Sequence, residues 1–92
     1  MTVEIVSPEA TLFKGEVDAV SVPGVNGEFQ MLNHHAPIVS LLGKGFVKIS
    51  GQQIKLTKAN KDKFTEQNGS FWLPIQSGTI ELKNNHVIVL AD

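Results

Sequence analysis

The chain has 92 residues, net charge −1, 41% hydrophobic and 18% charged residues, and no cysteine. One domain, residues 1–92, is expected, burying about 60–65% of its unfolded surface. Disulfides and thiolate metal sites are excluded. The eight basic residues are all lysine. Without arginine forks or a basic field, nucleic-acid binding and phosphoryl transfer are disfavoured. No apolar run approaches the roughly 20 residues of a membrane helix. The N-terminus "MTVEIVSPEA" has no secretory pattern, so the expectation is a cytoplasmic protein without direct membrane insertion.

In chain order, "TVEIVS" places Val3 and Ile5 on one face and Glu4 on the other. "ATLFKG" and "EVDAVSV" follow as strands, divided at Gly15. Pro23-Gly24 suits the centre of a type II turn, since proline fixes the first φ and glycine accepts a positive second φ. Asn26-Gly27 is a hairpin signal. The strands "GEFQML", "PIVSLL" and "GFVKIS" come next, with Gly43-Lys44-Gly45 turning between the last two. Ser50-Gly51 turns into the strand "QQIKLT". Residues 57–69, "TKANKDKFTEQNG", mix lysines with Asp62 and Glu66 and predict a solvated hairpin extension closed by Asn68-Gly69. "SFWLPI", "GTIELK" and "HVIVLAD" end the chain, with Asn84-Asn85 as a turn. The reading is all-β: a small sandwich of two packed, mostly antiparallel sheets with about nine or ten short strands. Val87, Ile88, Val89 and Leu90 are apolar without alternation. Both faces of that strand should therefore be covered, one by the core and the other by a partner.

The candidate chemistry is sparse. His34 and His35 are adjacent, and neighbours on a strand point to opposite faces, so the pair does not make a shared metal site. His86 is the only other histidine, and zinc takes three or four ligands. A small metal-dependent enzyme of the barrel type using His34, His35 and His86 is an alternative, and no cofactor or catalytic residue is assigned. There is no Gly-x-Ser-x-Gly elbow. Gly43-Lys44-Gly45 lacks the spacing and following hydroxyl of a phosphate loop. "NGS" at residues 68–70 reads as a turn. Phe71 and Trp72 offer an alternative function, a stand-alone carbohydrate-type binding module, although such a pair on a strand usually belongs to a core.

The stretch "EIVSPEATLFKGEVDAVSVPGVNGEFQMLNHHAPIVSLL", with "SGTIELKNNHVIVLAD" downstream, resembles the epsilon subunits of bacterial F-type ATP synthases. The resemblance covers about residues 4–48 and 71–92, with many motifs in order. It implies a β-sandwich of the central stalk that binds the gamma subunit and the c-ring. Such a subunit couples proton-driven ring rotation to ATP synthesis without bond chemistry of its own. It would lie peripherally on the cytoplasmic face of the bacterial plasma membrane. By the same resemblance Val25, Asn26, Gly27 and Glu28 face the c-ring, the Glu28 carboxylate accepting charge-assisted hydrogen bonds. Ser7, His35, Pro37 and Ser40 face gamma. The family's "LPxHAP" is here Leu32-Asn33-His34-His35-Ala36-Pro37, the frequent "KPG" is Gly43-Lys44-Gly45, and the segment 51–70 is longer than usual. Many members continue past "VLAD" into an inhibitory helical hairpin that in some binds ATP. From a chain ending at Asp92 the expectation is coupling without that inhibition and without ATP binding.

Overall fold

A computed structural model describes residues 1–92, apart from the side chain of Ala59. Ten strands form one curled, mostly antiparallel sheet. They are β1 (Thr2–Val6), β2 (Thr11–Glu16), β3 (Ala19–Gly24), β4 (Gly27–Leu32), β5 (Ile38–Leu42), β6 (Gly45–Ser50), β7 (Thr65–Gln67), β8 (Ser70–Ile75), β9 (Gly78–Lys83) and β10 (His86–Ala91). The order is β2-β1-β10-β9-β5 in one half and β3-β6-β8-β7 in the other, with β4 on β3. The halves join at a single pair, Gly24 with Leu42. Only β1 and β10 run parallel. Val3, Ile5, Ile80, Leu82, Val87 and Val89 from the first half share one core with Val20, Val22, Met31, Val47, Ile49 and Leu73 from the second. That shared core is what folds the curled sheet into a sandwich, most strands giving alternate residues to it while β7 stays exposed. The all-β expectation holds.

Four local expectations are corrected. Gly15 does not divide two strands; it lies inside β2, opposite Val3. A Cβ there would sit 3.1 Å from the Phe13 ring, so the glycine makes room for an aromatic rather than a turn. The chain instead changes sheet halves at Val17–Asp18, where Val17 donates to Met1 O and Asp18 to Ser50 O.

Pro23 and Gly24 are the end of β3, not a turn centre. The two-residue loop is Val25–Asn26, closed by the Gly24–Gly27 pair, and Gly27 carries φ 125°. Proline is tolerated because β3 pairs with β6 only through Ser21, so no N–H is demanded at Pro23. Gly24 is required by contact: a Cβ would meet Gly27 O at 2.7 Å and the Phe29 ring at 2.9 Å.

"QQIKLT" is not a strand. Thr57 caps a single helical turn, α1 (Lys58–Lys61), its hydroxyl accepting from Asn60 N. The segment 57–69 is also less solvated than its charges suggest. Phe64 is buried and packs edge-to-face on Phe13, with centroids 6.3 Å apart. Ile54 and Leu56 lie against the core.

The Asn68–Gly69 and Asn84–Asn85 turns form as expected. Their φ values of 51° and 79°, and of 51° and 60°, suit the primed turns that match strand twist.

Candidate functional site

Strand direction collects the loops at two ends. One end holds the Val25–Asn26 tip, the Gly43–Lys44 turn, the Ser7–Ala10 turn and Asp92. The other holds Met1, the loop 33–37 and the Asn84–Asn85 turn. The hairpin tip is braced: Val25 N donates to Leu41 O at 3.2 Å, and Gly43 N to Pro23 O at 2.8 Å. Val25, Asn26, Gly27 and Glu28 are therefore exposed together on a supported hairpin. Asp92 is tied to this end by its backbone N–H to Ser77 O and its carboxylate to the Ser77 hydroxyl.

Glu28 is not a free carboxylate. Its Oε1 accepts from Lys48 Nζ at 3.0 Å. The same ammonium sits 4.1 Å above the Trp72 ring centroid, and Phe46 packs beside that ring at 5.3 Å. Trp72 thus has a covered face, while Phe71, its neighbour on the opposite face, packs against the core. The two aromatics do not form a shared platform for a sugar. Sequence reading gave Lys48 no part; its place opposite Trp72 comes from the pairing of β6 with β8.

Ser7, His35, Pro37 and Ser40 are spread along the first half. Ser7 closes its turn with Ala10, accepting from Ala10 N at 3.3 Å, and lines a depression with Leu90 and Asp92. His35 and Pro37 belong to the exposed loop before β5; His35 Nδ1 lies 2.7 Å from Ala36 O. His34 and His35 are in a turn rather than on a strand, and His34 has φ 65°. Ser40 is half-buried on β5, opposite buried Ile80. It faces inward, whereas Val39 and Leu41 face outward.

Those two outward residues continue a row that sequence reading saw only in part. Val39 pairs with Glu81, which pairs with Ile88; Leu41 pairs with Thr79, which pairs with Leu90. Val39, Leu41, Ile88 and Leu90 are 76%, 63%, 36% and 53% exposed. The same β10 sends Val87 and Val89 into the core, both fully buried. The missing alternation in 87–90 thus marks a sheet with one inner face covered and an apolar outer face open.

His86 lies at the edge of this face, Nε2 3.3 Å from Glu4 Oε1. Among the described residues no three His, Asp or Glu side chains converge in a metal-binding group. Among the described residues no helix is long and apolar enough to cross a membrane.

The family model for the ATP synthase delta/epsilon chain β-sandwich domain matches residues 1–92. The chain is similar to the ATP synthase epsilon chain of Leptospira interrogans, 36% identical over 93 aligned positions, which cover all of this chain and 61% of the relative. It is also similar to that of Desulforamulus reducens, 33% identical over 97% of this chain and 56% of the relative. For Chlorobaculum tepidum the figures are 34% identity, 99% of this chain and 88% of the relative. The chain thus spans little more than half the length of the first two relatives. A cryo-EM structure of the Tetrahymena thermophila mitochondrial ATP synthase central stalk and c-ring contains a chain of like fold. Its TM-score is 0.73 at 13% identity, covering 99% of this chain and 62% of that one. By the family match along its whole length and these relatives, the chain belongs to the ATP synthase delta/epsilon family, as its β-sandwich domain.

Proposed function

We propose that this chain serves in the central stalk of a proton-translocating F-type ATP synthase, as the β-sandwich part of an epsilon subunit. It binds the gamma subunit with one sheet face and the c-ring with one end. It couples ring rotation to ATP synthesis and performs no bond chemistry. Its place is peripheral, at the cytoplasmic face of the plasma membrane.

The observation that carries this reading is the open apolar row Val39, Leu41, Ile88 and Leu90. A small domain rarely leaves four large aliphatic side chains on one sheet face, here in two pairs flanking Thr79 and Glu81 of β9, without a partner. Gamma is assigned to that face because Ser7 adjoins it at Leu90 and the His35–Pro37 loop leads into β5. Ser40 lies on the same strand but turns its side chain to the inner side of the sheet. The c-ring is assigned to the braced tip Val25–Glu28, whose polar backbone and carboxylate suit polar loops. Rigid bracing suits a part that must transmit torque rather than flex.

Restoration of coupling tests the proposal. Membranes stripped of this subunit should regain proton-driven ATP synthesis when the chain is added back within its synthase. No recovery, with the chain folded, would refute the coupling role.

A further inference from the structure

Three strands of the second half bring together a set of side chains that the proposed contacts do not by themselves explain. Lys48 on β6 is paired with Trp72 on β8 and with Ser21 on β3. Its ammonium reaches across β3 to Glu28 on β4 at 3.0 Å while remaining 4.1 Å from the Trp72 ring centroid. Phe46 supports the ring from the same face. The Lys48 side chain is 24% exposed and that of Glu28 52% exposed. The lysine is thus the held member of the pair, and the carboxylate the presented one. Among the described residues Glu28 Oε2 takes no hydrogen bond.

We propose that Lys48 is a positioning residue for the c-ring contact. Clamped between the Trp72 face and Glu28, it fixes the carboxylate by one oxygen and leaves the other for a cationic side chain on the facing loop. This rests on the reading that the Val25–Glu28 tip meets the ring. The physical gain is preorganisation: a glutamate already held in one geometry loses less rotamer freedom on docking, worth roughly two- to tenfold in affinity. Arginine in place of Lys48 retains the cation, can grip the carboxylate and stacks on an aromatic face. Methionine keeps an apolar stem over Trp72 without the charge.

The test is titration of the fluorescently labelled chain against the purified cognate gamma–c-ring assembly. K48M should weaken binding roughly two- to tenfold, K48R should bind like the wild type, and both should melt near the wild-type temperature. Glu28→Gln should cost less in the K48M background than in the wild type, because the pair acts as a unit. Wild-type affinity for K48M, or full additivity of K48M and E28Q, would overturn the role of Lys48 alone. If the wild-type chain fails to bind the assembly, the ring contact falls and this inference with it.

Discussion

The backbone N–H of His34 donates to the Asn85 side-chain Oδ1 at 2.8 Å, tying the loop after β4 to the β9–β10 turn. Both residues are left-handed, with φ 65° and 60°. Asn85 also offers its backbone carbonyl to Thr2 N at 3.1 Å. One asparagine therefore joins three segments at the end of the sandwich away from the hairpin tip.

Its substitution separates backbone from side chain. Asn85→Gly keeps the left-handed turn and loses the acceptor, costing about 1 kcal/mol. Asn85→Ala should cost a further 1–2 kcal/mol, roughly the penalty of a Cβ in that conformation. Urea unfolding of the two variants checks the order; equal losses would show that the turn carries no such strain.

Leu82 and Leu90 are the same residue type on neighbouring strands, 1% and 53% exposed. Leu82→Ala should destabilise by about 2–5 kcal/mol through lost burial and a residual cavity. Leu90→Ala should stay within about 1 kcal/mol in the isolated chain. Comparable losses would place Leu90 in the core and close the outer face.

Glu16 gives a pH dependence. A hydrogen bond from the Thr2 hydroxyl at 3.0 Å, followed by the N-terminal ammonium, holds its carboxyl below the ordinary value. A folded value below the unfolded one means that the contact adds stability above ordinary carboxylate titration. That stability is lost as pH falls through the lowered value. Glu16 is largely exposed, so the effect is small and screened by salt. Thermal melts from neutral to acid pH should fall more steeply for the wild type than for Glu16→Gln, and less so at high salt. Parallel curves would remove the contact from the account.

Much of the fold was legible because period-2 alternation and Asn–Asn or Asn–Gly turns are local signals. Most strand positions and both left-handed asparagine turns follow from them. Glycine and proline misled where their reason was tertiary. Gly15 is set by the Phe13 ring and Gly24 by Gly27 O and Phe29, contacts that no local pattern announces. "QQIKLT" alternates like a strand, yet Ile54 and Leu56 reach the core from a loop. The outer apolar row was half legible: Ile88 and Leu90 stood out, whereas Val39 and Leu41 needed the β5–β9–β10 register. The Glu28–Lys48 pair spans 20 positions and three strands, so it emerges only from the assembled sheet.

The central claim is that the open face of β5, β9 and β10 receives the gamma subunit. Co-purification of the cognate gamma with the tagged chain tests it most directly, wild type beside Leu41→Glu/Leu90→Glu. Both sites are exposed, so the double variant should fold and melt near the wild type, while two carboxylates in an apolar interface should cost about tenfold or more in gamma recovery. Undiminished gamma recovery by the folded double variant, or none by the wild type, would contradict the account.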